Sequence, residues 1–175
     1  VGECGEKMGS GGLDKKFGFT LTMPSAYKTL KENETTSWFQ REIQKGHINL
    51  LVTTTPYDED IVVDQNLEKI IAQHDSIGKA FIPGRLPNSH LITEKAYEPY
   101  IYSTTFGKKP ALEIRGTWEV QGDYMAGPFL QYIINDKPNN RNILLEGFVF
   151  APSTAKRDYV FEIETPVDKQ DLVRF

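Results

Sequence analysis

The sequence has a single cysteine, no surplus of basic residues and no long apolar run. One cysteine in 175 residues has no partner within the chain, so an internal disulfide framework is excluded. A membrane-spanning helix needs about 18 consecutive apolar residues, and no stretch approaches that length. With 20 Lys and Arg against 24 Asp and Glu, the net charge is −4. This balance, without a basic cluster, argues against nucleic-acid binding.

The remaining composition is typical of one folded domain. Hydrophobic residues make up 39% and charged residues 25% of the chain, as in ordinary globular proteins. A chain of this length buries roughly 70% of its unfolded surface and suits a single core. The glycine-rich residues 1–14 have little to bury, so we interpret them as a linker or an appended remnant. Residues 15–175 are then a single α+β domain.

Period-two patterns in the first third of the chain predict three strands in an antiparallel meander with short connections. The segments are FGFTLTMP (17–24), TTSWFQRE (35–42) and HINLLVTTTPY (47–57). The pattern then changes to apolar residues three and four apart, which predicts an amphipathic helix. This helix is capped by Asp64, runs to about Ile77 and ends at Gly78. The turn residues of FIPGRLPNS predict a loop after it.

The second half of the chain returns to strand patterns. Five segments alternate or are strongly apolar: HLITEKAYE (90–98), YIYSTTFG (100–107), ALEIRGTWEVQG (111–122), FLQYIIND (129–136) and NILLEGFVFAP (142–152). The last is the most apolar and is predicted at the sheet centre. A short helix from Thr154 to about Glu164 closes the order βββ-α-βββββ-α. The sequence therefore predicts one antiparallel sheet of about eight strands with two main helices, an α+β fold.

A long motif in the second half resembles a known bacterial family. The run RGTWEVQGDYMAGPF, the strand LEGFVFAP and the helix start KRDY resemble domain of unknown function 4837, over about residues 17–160. The element order is similar to the Mog1/PsbP-like architecture, which by itself carries no function. The family resemblance implies export to the cell envelope, as the C-terminal part of a bacterial lipoprotein. The N-terminal half and the lipidated cysteine of such proteins are absent from these residues.

The histidines carry no metal or catalytic signature. His47, His74 and His90 lack HExxH spacing and a cysteine partner, so neither a metal nor another cofactor is expected. No GxSxG elbow is present for nucleophilic catalysis. His74 lies among apolar helix positions and is expected as a hydrogen-bonded core residue, while the other two are expected to be exposed.

The segment WEVQGDYMAGPF is the strongest candidate for a ligand or partner surface. Its chemistry lies in five side chains: Arg115, Trp118, Glu119, Asp123 and Tyr124. The aromatic rings would supply contact area, and the guanidinium would bind a carboxylate or phosphate. A simpler, structural interpretation explains the same segment: Trp118 fills the core, Gly122-Asp123 reverses the chain, and Gly127-Pro128 shapes an edge.

A hydrolase-like enzyme is the alternative hypothesis, with a polar site around Arg115, Glu119, Asp123 and Glu146. Along one strand, Glu113 and Glu119 are about 20 Å apart at 3.3 Å per residue. That separation excludes a retaining glycosidase pair, which needs about 5 Å. If the four side chains of the alternative site lie on separate faces, they cannot share acid–base work.

Tyrosines in YEPYIYSTTF leave two interpretations open. Tyr100 and Tyr102 share one face of a predicted strand. Exposed, they would form an aromatic stripe for protein contact or glycan stacking; buried, they would be the edge of the core.

The absence of catalytic motifs and the family resemblance favour a non-enzymatic, envelope-associated domain that binds a ligand or supports an assembly. Expected partners are the missing N-terminal half or another envelope protein. No nucleic acid is expected, and membrane contact is expected only through a lipid anchor outside these residues. A purely structural module that packs on the missing half is a further alternative, marked by an exposed apolar patch above a few hundred Å².

Overall fold

The chain folds around one antiparallel sheet of eight strands. The computed structural model describes residues 13–21 and 23–150, together with two short strands at 7–8 and 173–174. The strands are β1 (Lys7–Met8), β2 (Thr20–Leu21), β3 (Met23–Pro24), β4 (Lys28–Glu32), β5 (Thr36–Ile43), β6 (Gly46–Pro56), β7 (Leu91–Thr93), β8 (Tyr100–Phe106), β9 (Lys109–Val120), β10 (Ala126–Asp136), β11 (Arg141–Phe150) and β12 (Val173–Arg174). The helices are α1 (Leu13–Phe17), α2 (Glu59–Asp64) and α3 (Leu67–Phe81), with a 3-10 turn at Lys137–Asn139.

The order of strands in the main sheet is β4-β5-β6-β11-β10-β9-β7, and β8 pairs with β9 beside β7. All of these pairs are antiparallel. The predicted α+β class is confirmed, and β11 lies at the centre, as its apolar sequence predicted. The connection from β9 to β10 turns at Gly122, whose φ of +81° is open to glycine. Gly127 and Pro128 lie inside β10, an interior strand, so the prediction that they shape an edge is wrong.

The N-terminal segment departs from the predicted meander. Residues 17–24 do not form the strand beside β5, because β4 takes that place. Phe17 ends α1, Gly18 follows with a φ of +74°, and β2 and β3 pair outside the main sheet. The alternate apolar side chains of this segment are still buried. The period-two pattern therefore predicted the buried side chains correctly, but its prediction of a strand in the main sheet is wrong.

The strand β4 forms one edge of the sheet. All five of its side chains are exposed, so it has no apolar alternation by which to be found in the sequence. Its register with β5 shifts between Thr29 and Lys31, the irregularity of a β-bulge.

Two helices stand where one was predicted. Asp64 ends α2, and Gln65 follows with a φ of 51°. The cap of α3 is Asn66, whose Oδ1 accepts from the backbone N–H of Lys69 at 3.0 Å. Gly78 does not end the helix; a Cβ there would lie 1.9 Å from the carbonyl oxygen of Leu91, so only glycine permits this approach to β7. Within the described residues, no helix has the length and hydropathy to cross a membrane.

The sheet is covered on both faces. We call the face under α2 and α3 the helix face and the opposite one the N-terminal face. The helix face holds Ile70 and Ile77 of α3 against apolar side chains of β9, β10 and β11. On the N-terminal face, Phe17 and Phe19 pack against the alternate residues of the same strands. Leu13, inside the predicted linker 1–14, is also buried there. The predicted helix at 154–164 lies outside the described residues.

Candidate functional site

A cleft of about 330 Å³ opens on the helix face beyond the end of α3. Four aromatic side chains from three strands form its floor: Trp38, Trp118, Phe148 and Phe150. The chain segment 82–85, which leaves α3, forms one side together with Leu91, Val120 and Met125. Gln40, His47 and Arg85 supply the polar groups. We call this site the aromatic cleft.

Strand alternation and one glycine build the aromatic floor. Trp118 lies opposite Gly127 on the neighbouring strand β10. Because residue 127 has no side chain, the indole reaches across it; a Cβ there would be 3.0 Å from the indole Cε2 and Cζ2. The indole thereby comes within 6.1 Å of the Phe148 ring and 6.3 Å of the Phe150 ring, between centroids. Edge and tilted contacts of this kind are favourable for aromatic rings.

A buried asparagine links the polar groups of the cleft. Asn49 Oδ1 accepts from Trp38 Nε1 and from Gln40 Nε2, each at 3.0 Å. An indole N–H only donates, so this assigns the amide oxygen. The amide nitrogen of Asn49 therefore donates to His47 Nδ1 at 2.8 Å. The Nδ1 atom of His47 is then an acceptor, and the ring proton is on Nε2.

His47 is half-buried, so the prediction that it is exposed is wrong; His90 is also half-buried. Burial lowers the pKa of His47, against the opposing charge of Glu42. The imidazole packs against Phe150 at 5.3 Å between centroids. A lowered pKa and an accepting Nδ1 agree that His47 is neutral at pH 7.

Among the described residues, Arg85 is the one charged side chain that lines the aromatic cleft, and it is already paired. Arg85 donates from Nε and Nη2 to the two carboxylate oxygens of Asp123, at 2.8 and 2.7 Å. The same hydrogen bonds lower the pKa of Asp123 and raise that of Arg85. Two parallel bonds of this kind fix the guanidinium in one orientation. The described lining of the cleft therefore presents no unbalanced charge.

One buried donor on the floor has no partner. The indole N–H of Trp118 makes no hydrogen bond within the part of the chain that the structure describes. Leaving a buried donor unpaired costs about 1–3 kcal/mol. Within the described residues, the cleft floor thus retains an unsatisfied polar group, which is uncommon in native proteins and calls for a specific explanation.

A second polar cluster fastens α3 to the sheet. His74 is 2% exposed, and its Nε2 donates to Glu146 Oε1 at 2.9 Å. The Thr93 hydroxyl donates to Asp75 Oδ1, so its oxygen is free to accept, at 2.7 Å, from His74 Nδ1. Both ring nitrogens therefore carry protons, and His74 is an imidazolium. The ring also stacks on Phe129 at 4.3 Å. The prediction of a hydrogen-bonded core histidine is confirmed.

This cluster predicts how stability depends on pH. Burial alone lowers the pKa of His74, but the carboxylates of Glu146 and Asp75 raise it from 6.5 to about 9. The folded state favours the charged form of His74. The contribution of this residue to the free energy of unfolding is therefore complete below pH 6.5 and is lost as pH rises through 9. We expect the free energy of unfolding to fall by about 3 kcal/mol between pH 6.5 and 10. Urea denaturation at a series of pH values measures this fall.

In His74→Leu, the fall in the free energy of unfolding between pH 6.5 and 10 is expected to disappear. His90→Leu is the matched control, in which this fall is expected to remain. A wild-type free energy of unfolding that stays constant or rises over this range would contradict the charged state of His74.

The five residues predicted as a ligand or partner surface do not lie together in the structure. Arg115 and Glu119 alternate with Trp118 and so lie on the N-terminal face. Arg115 Nη2 donates to Glu113 Oε1 at 2.9 Å, an ion pair on that face. A hydrogen bond with Glu94 raises the pKa of Glu119. Neither side chain reaches the aromatic cleft.

The other members of that surface lie at the β9–β10 turn and on the helix face. Asp123 orients Arg85 at the cleft rim, and Tyr124 is fully exposed. Trp118 is 2% exposed and forms part of both the core and the cleft floor. Its predicted place in the core is confirmed, and Gly122-Asp123 reverses the chain as the simpler interpretation expected.

The four residues of the hydrolase hypothesis do not converge. Arg115 and Glu119 lie on the N-terminal face, while Glu146 lies on the helix face beneath His74. Asp123 lies in the turn, paired with Arg85. Groups on opposite faces of a sheet cannot exchange protons with one substrate. Residues 13–21 and 23–150 also contain no group of three or more His, Cys, Asp or Glu placed to hold a metal ion.

The exposed tyrosines settle the question that the sequence left open. Tyr100 and Tyr102 are 69% and 49% exposed, so they are not the edge of the core. They pair with Arg115 and Glu113 across β8 and β9, and so lie on the N-terminal face.

Sequence reasoning missed most of the aromatic cleft. The residues missed are Trp38, Gln40, His47, Arg85, Phe148 and Phe150. A usable signal was present: Gln40 and Asn49 are polar residues at inward positions of strands, where an amide requires a partner. Arg85, the one basic residue of the predicted loop after the helix, was a second signal.

Fold and site together define a small α+β domain with a ligand-sized aromatic cleft. The chain matches the model of the family described as "Domain of unknown function (DUF4837)" over residues 7–168, and it belongs to that family. The predicted membership is thereby confirmed. The chain matches no curated protein sequence.

Two solved structures share the fold. The Ran-binding protein Mog1p of Saccharomyces cerevisiae is 8% identical with a TM-score of 0.58, over 90% of this chain and 91% of that one. A Mog1 variant with one glutamate replaced by alanine is 7% identical with a TM-score of 0.60, over 97% of this chain and 95% of that one. The predicted Mog1/PsbP-like architecture is confirmed. At these identities the similarity concerns the fold alone.

Proposed function

We propose that this domain is a non-catalytic binding module whose ligand occupies the aromatic cleft. The observation that carries the proposal is the concave floor of Trp38, Trp118, Phe148 and Phe150 around about 330 Å³. Ligand sites are concave and mostly apolar, contain a few placed polar groups, and begin at about this volume. The cleft has this composition, with Gln40 and Arg85 among its polar groups.

The charged groups of the domain support binding over catalysis. His74 and Glu146 hydrogen-bond each other beneath α3. Asp136 is 1% exposed and accepts from Lys109 and from Arg141 Nε. These groups are saturated by their neighbours and hold secondary-structure elements together, so they are not poised toward a substrate.

The family resemblance supports a bacterial cell-envelope location, as part of a lipoprotein, which we propose as the setting for this activity. A protein partner, either the N-terminal half or another envelope protein, is proposed to contact the exposed tyrosines. Tyr97, Tyr100 and Tyr102 present aromatic area to solvent, and tyrosine is enriched in protein interfaces. The absence of a basic cluster supports a partner other than nucleic acid.

Nuclear magnetic resonance offers a direct test, because the chain has two tryptophans and both line the cleft. Their indole N–H signals therefore report cleft occupancy. We expect both signals to shift saturably when the chain is titrated with ethylbenzene or acetophenone. Met125→Phe, which fills the cleft, is expected to weaken the binding.

Val63→Phe is the matched control, since it adds the same ring at an exposed position of α2 away from the cleft. The control variant is expected to bind as the wild type does. If neither compound produces a saturable shift, or if Met125→Phe binds as tightly as the wild type, the aromatic cleft is not a binding site.

A further inference from the structure

The polar groups of the aromatic cleft restrict the charge of its ligand. Arg85 donates two hydrogen bonds to the carboxylate of Asp123, and His47 is neutral because its Nδ1 accepts from Asn49. The remaining polar lining residue, Gln40, has no charge. A charged ligand would lose its hydration in this cleft and find no free counter-charge among the described lining residues, which is costly.

Besides the indole N–H of Trp118, which is buried in the floor, the described residues leave one oriented donor at the cleft, on His47. The accepting Nδ1 of His47 places the ring proton on Nε2. No hydrogen bond joins this atom to another residue of the described part of the chain, while the ring itself is fixed by Asn49 and Phe150. A fixed donor beside apolar walls recognises an acceptor whose position is set by the rest of the ligand.

The shape of the site restricts the ligand further. Rings from three strands form one floor, and aromatic surfaces favour offset stacking or edge contacts with planar rings. A dry cavity of about 150 Å³ admits benzene, and the aromatic cleft has about 330 Å³. A substituted single ring or a fused pair of rings therefore fits within it.

From these features we infer that the aromatic cleft takes an uncharged planar ring compound that accepts a hydrogen bond from Nε2 of His47. This inference rests on the proposed function and adds the chemical class of the ligand. The ring of the ligand makes apolar contacts with the tryptophan and phenylalanine side chains of the cleft. The hydrogen-bond acceptor of the ligand distinguishes it from other planar ring compounds.

The test compares four probes on the intact chain: ethylbenzene, acetophenone, benzoate and benzylamine. They share a benzene ring and differ in carrying no acceptor, a neutral acceptor, a negative charge or a positive charge. Dissociation constants are read from the two indole N–H signals. We expect acetophenone to bind more tightly than either charged probe.

The variant His47→Leu isolates the hydrogen bond from general hydrophobicity. A neutral hydrogen bond contributes about 0.5–1.5 kcal/mol, which corresponds to about 2- to 10-fold in affinity. The ratio of the ethylbenzene to the acetophenone dissociation constant is expected to fall by that factor in His47→Leu. His90→Leu, at the other half-buried histidine, is the matched control with an unchanged ratio.

A measurement on the wild type does not depend on the variant's folding. Long-range ¹H–¹⁵N spectra of the imidazole at pH 7.5 are expected to show His47 as the Nε2–H tautomer, with its signal shifted by acetophenone. The Nδ1–H tautomer, an unchanged ratio in His47→Leu, or benzoate binding as tight as that of acetophenone would overturn the inference. In each case saturable binding of ethylbenzene would leave the proposed function standing, whereas no binding of any probe would remove both.

Discussion

Replacing Trp118 with alanine is expected to lower the free energy of unfolding by about 3–5 kcal/mol. The side chain is 2% exposed and contacts the rings of Phe148 and Phe150. Its indole also covers Gly127, which has no side chain to refill the space. Truncation therefore removes apolar contacts from two neighbouring strands at once and leaves a cavity that the sheet cannot close.

Urea denaturation measures this loss, with Tyr124→Ala as the control. Tyr124 is fully exposed in the turn that follows the same strand, so its truncation is expected to change stability by no more than about 0.5 kcal/mol. A Trp118→Ala protein as stable as the Tyr124→Ala protein would contradict the packing of the indole in the core.

The second large effect concerns the buried ion pair beneath α3. Glu146→Leu is expected to lower the free energy of unfolding by about 3–5 kcal/mol, because it leaves the His74 imidazolium without its nearest counter-charge. Both partners are 2% exposed, so water cannot replace the missing carboxylate. Asp75, whose Oδ1 lies 3.7 Å from His74 Nδ1, compensates only in part.

The double variant His74→Leu/Glu146→Leu distinguishes a charge effect from a packing effect. Replacing both members of a buried pair with apolar side chains is often close to neutral. The double variant is therefore expected to recover most of the stability that Glu146→Leu loses, measured by urea denaturation at pH 7. A double variant that loses the sum of the two single losses would show that the pair does not interact.

The strands of the second half were predictable because the distribution of apolar residues along each strand matches the burial of its two faces. In β9, Leu112, Ile114 and Trp118 face the helices while Glu113 and Arg115 face the other way, as the alternation predicted. A central strand such as β11 is buried on both faces and is correspondingly apolar throughout.

The N-terminal segment shows the limit of that pattern. Alternation in residues 17–24 reports which side chains are buried, but it does not report which backbone groups pair. Phe17 and Phe19 cover the N-terminal face of the sheet rather than extend its edge. The helix start was ambiguous for a related reason: Asp64 and Asn66 are both good caps, and a left-handed Gln65 between them leaves no mark in the sequence.

The aromatic cleft could not be predicted from the sequence, because its residues come from distant segments of the chain. Trp38, Arg85, Trp118 and Phe148 come from separate elements, and their meeting depends on the strand order in the sheet. The pair of His74 and Glu146 is likewise separated by 72 positions. Motif spacing finds sites within one element, and neither of these is such a site.

The exposed edge strand β4 has features that oppose aggregation through the sheet edge. An open sheet edge is a template on which further chains add by backbone pairing. Here the edge carries Lys28, Lys31 and Glu32, and its shifted register at Thr29 interrupts the row of N–H and C=O groups that no other described strand pairs. The charges and the irregular register therefore oppose the growth of fibrils from this end of the sheet. Replacing both lysines with apolar residues would favour such growth.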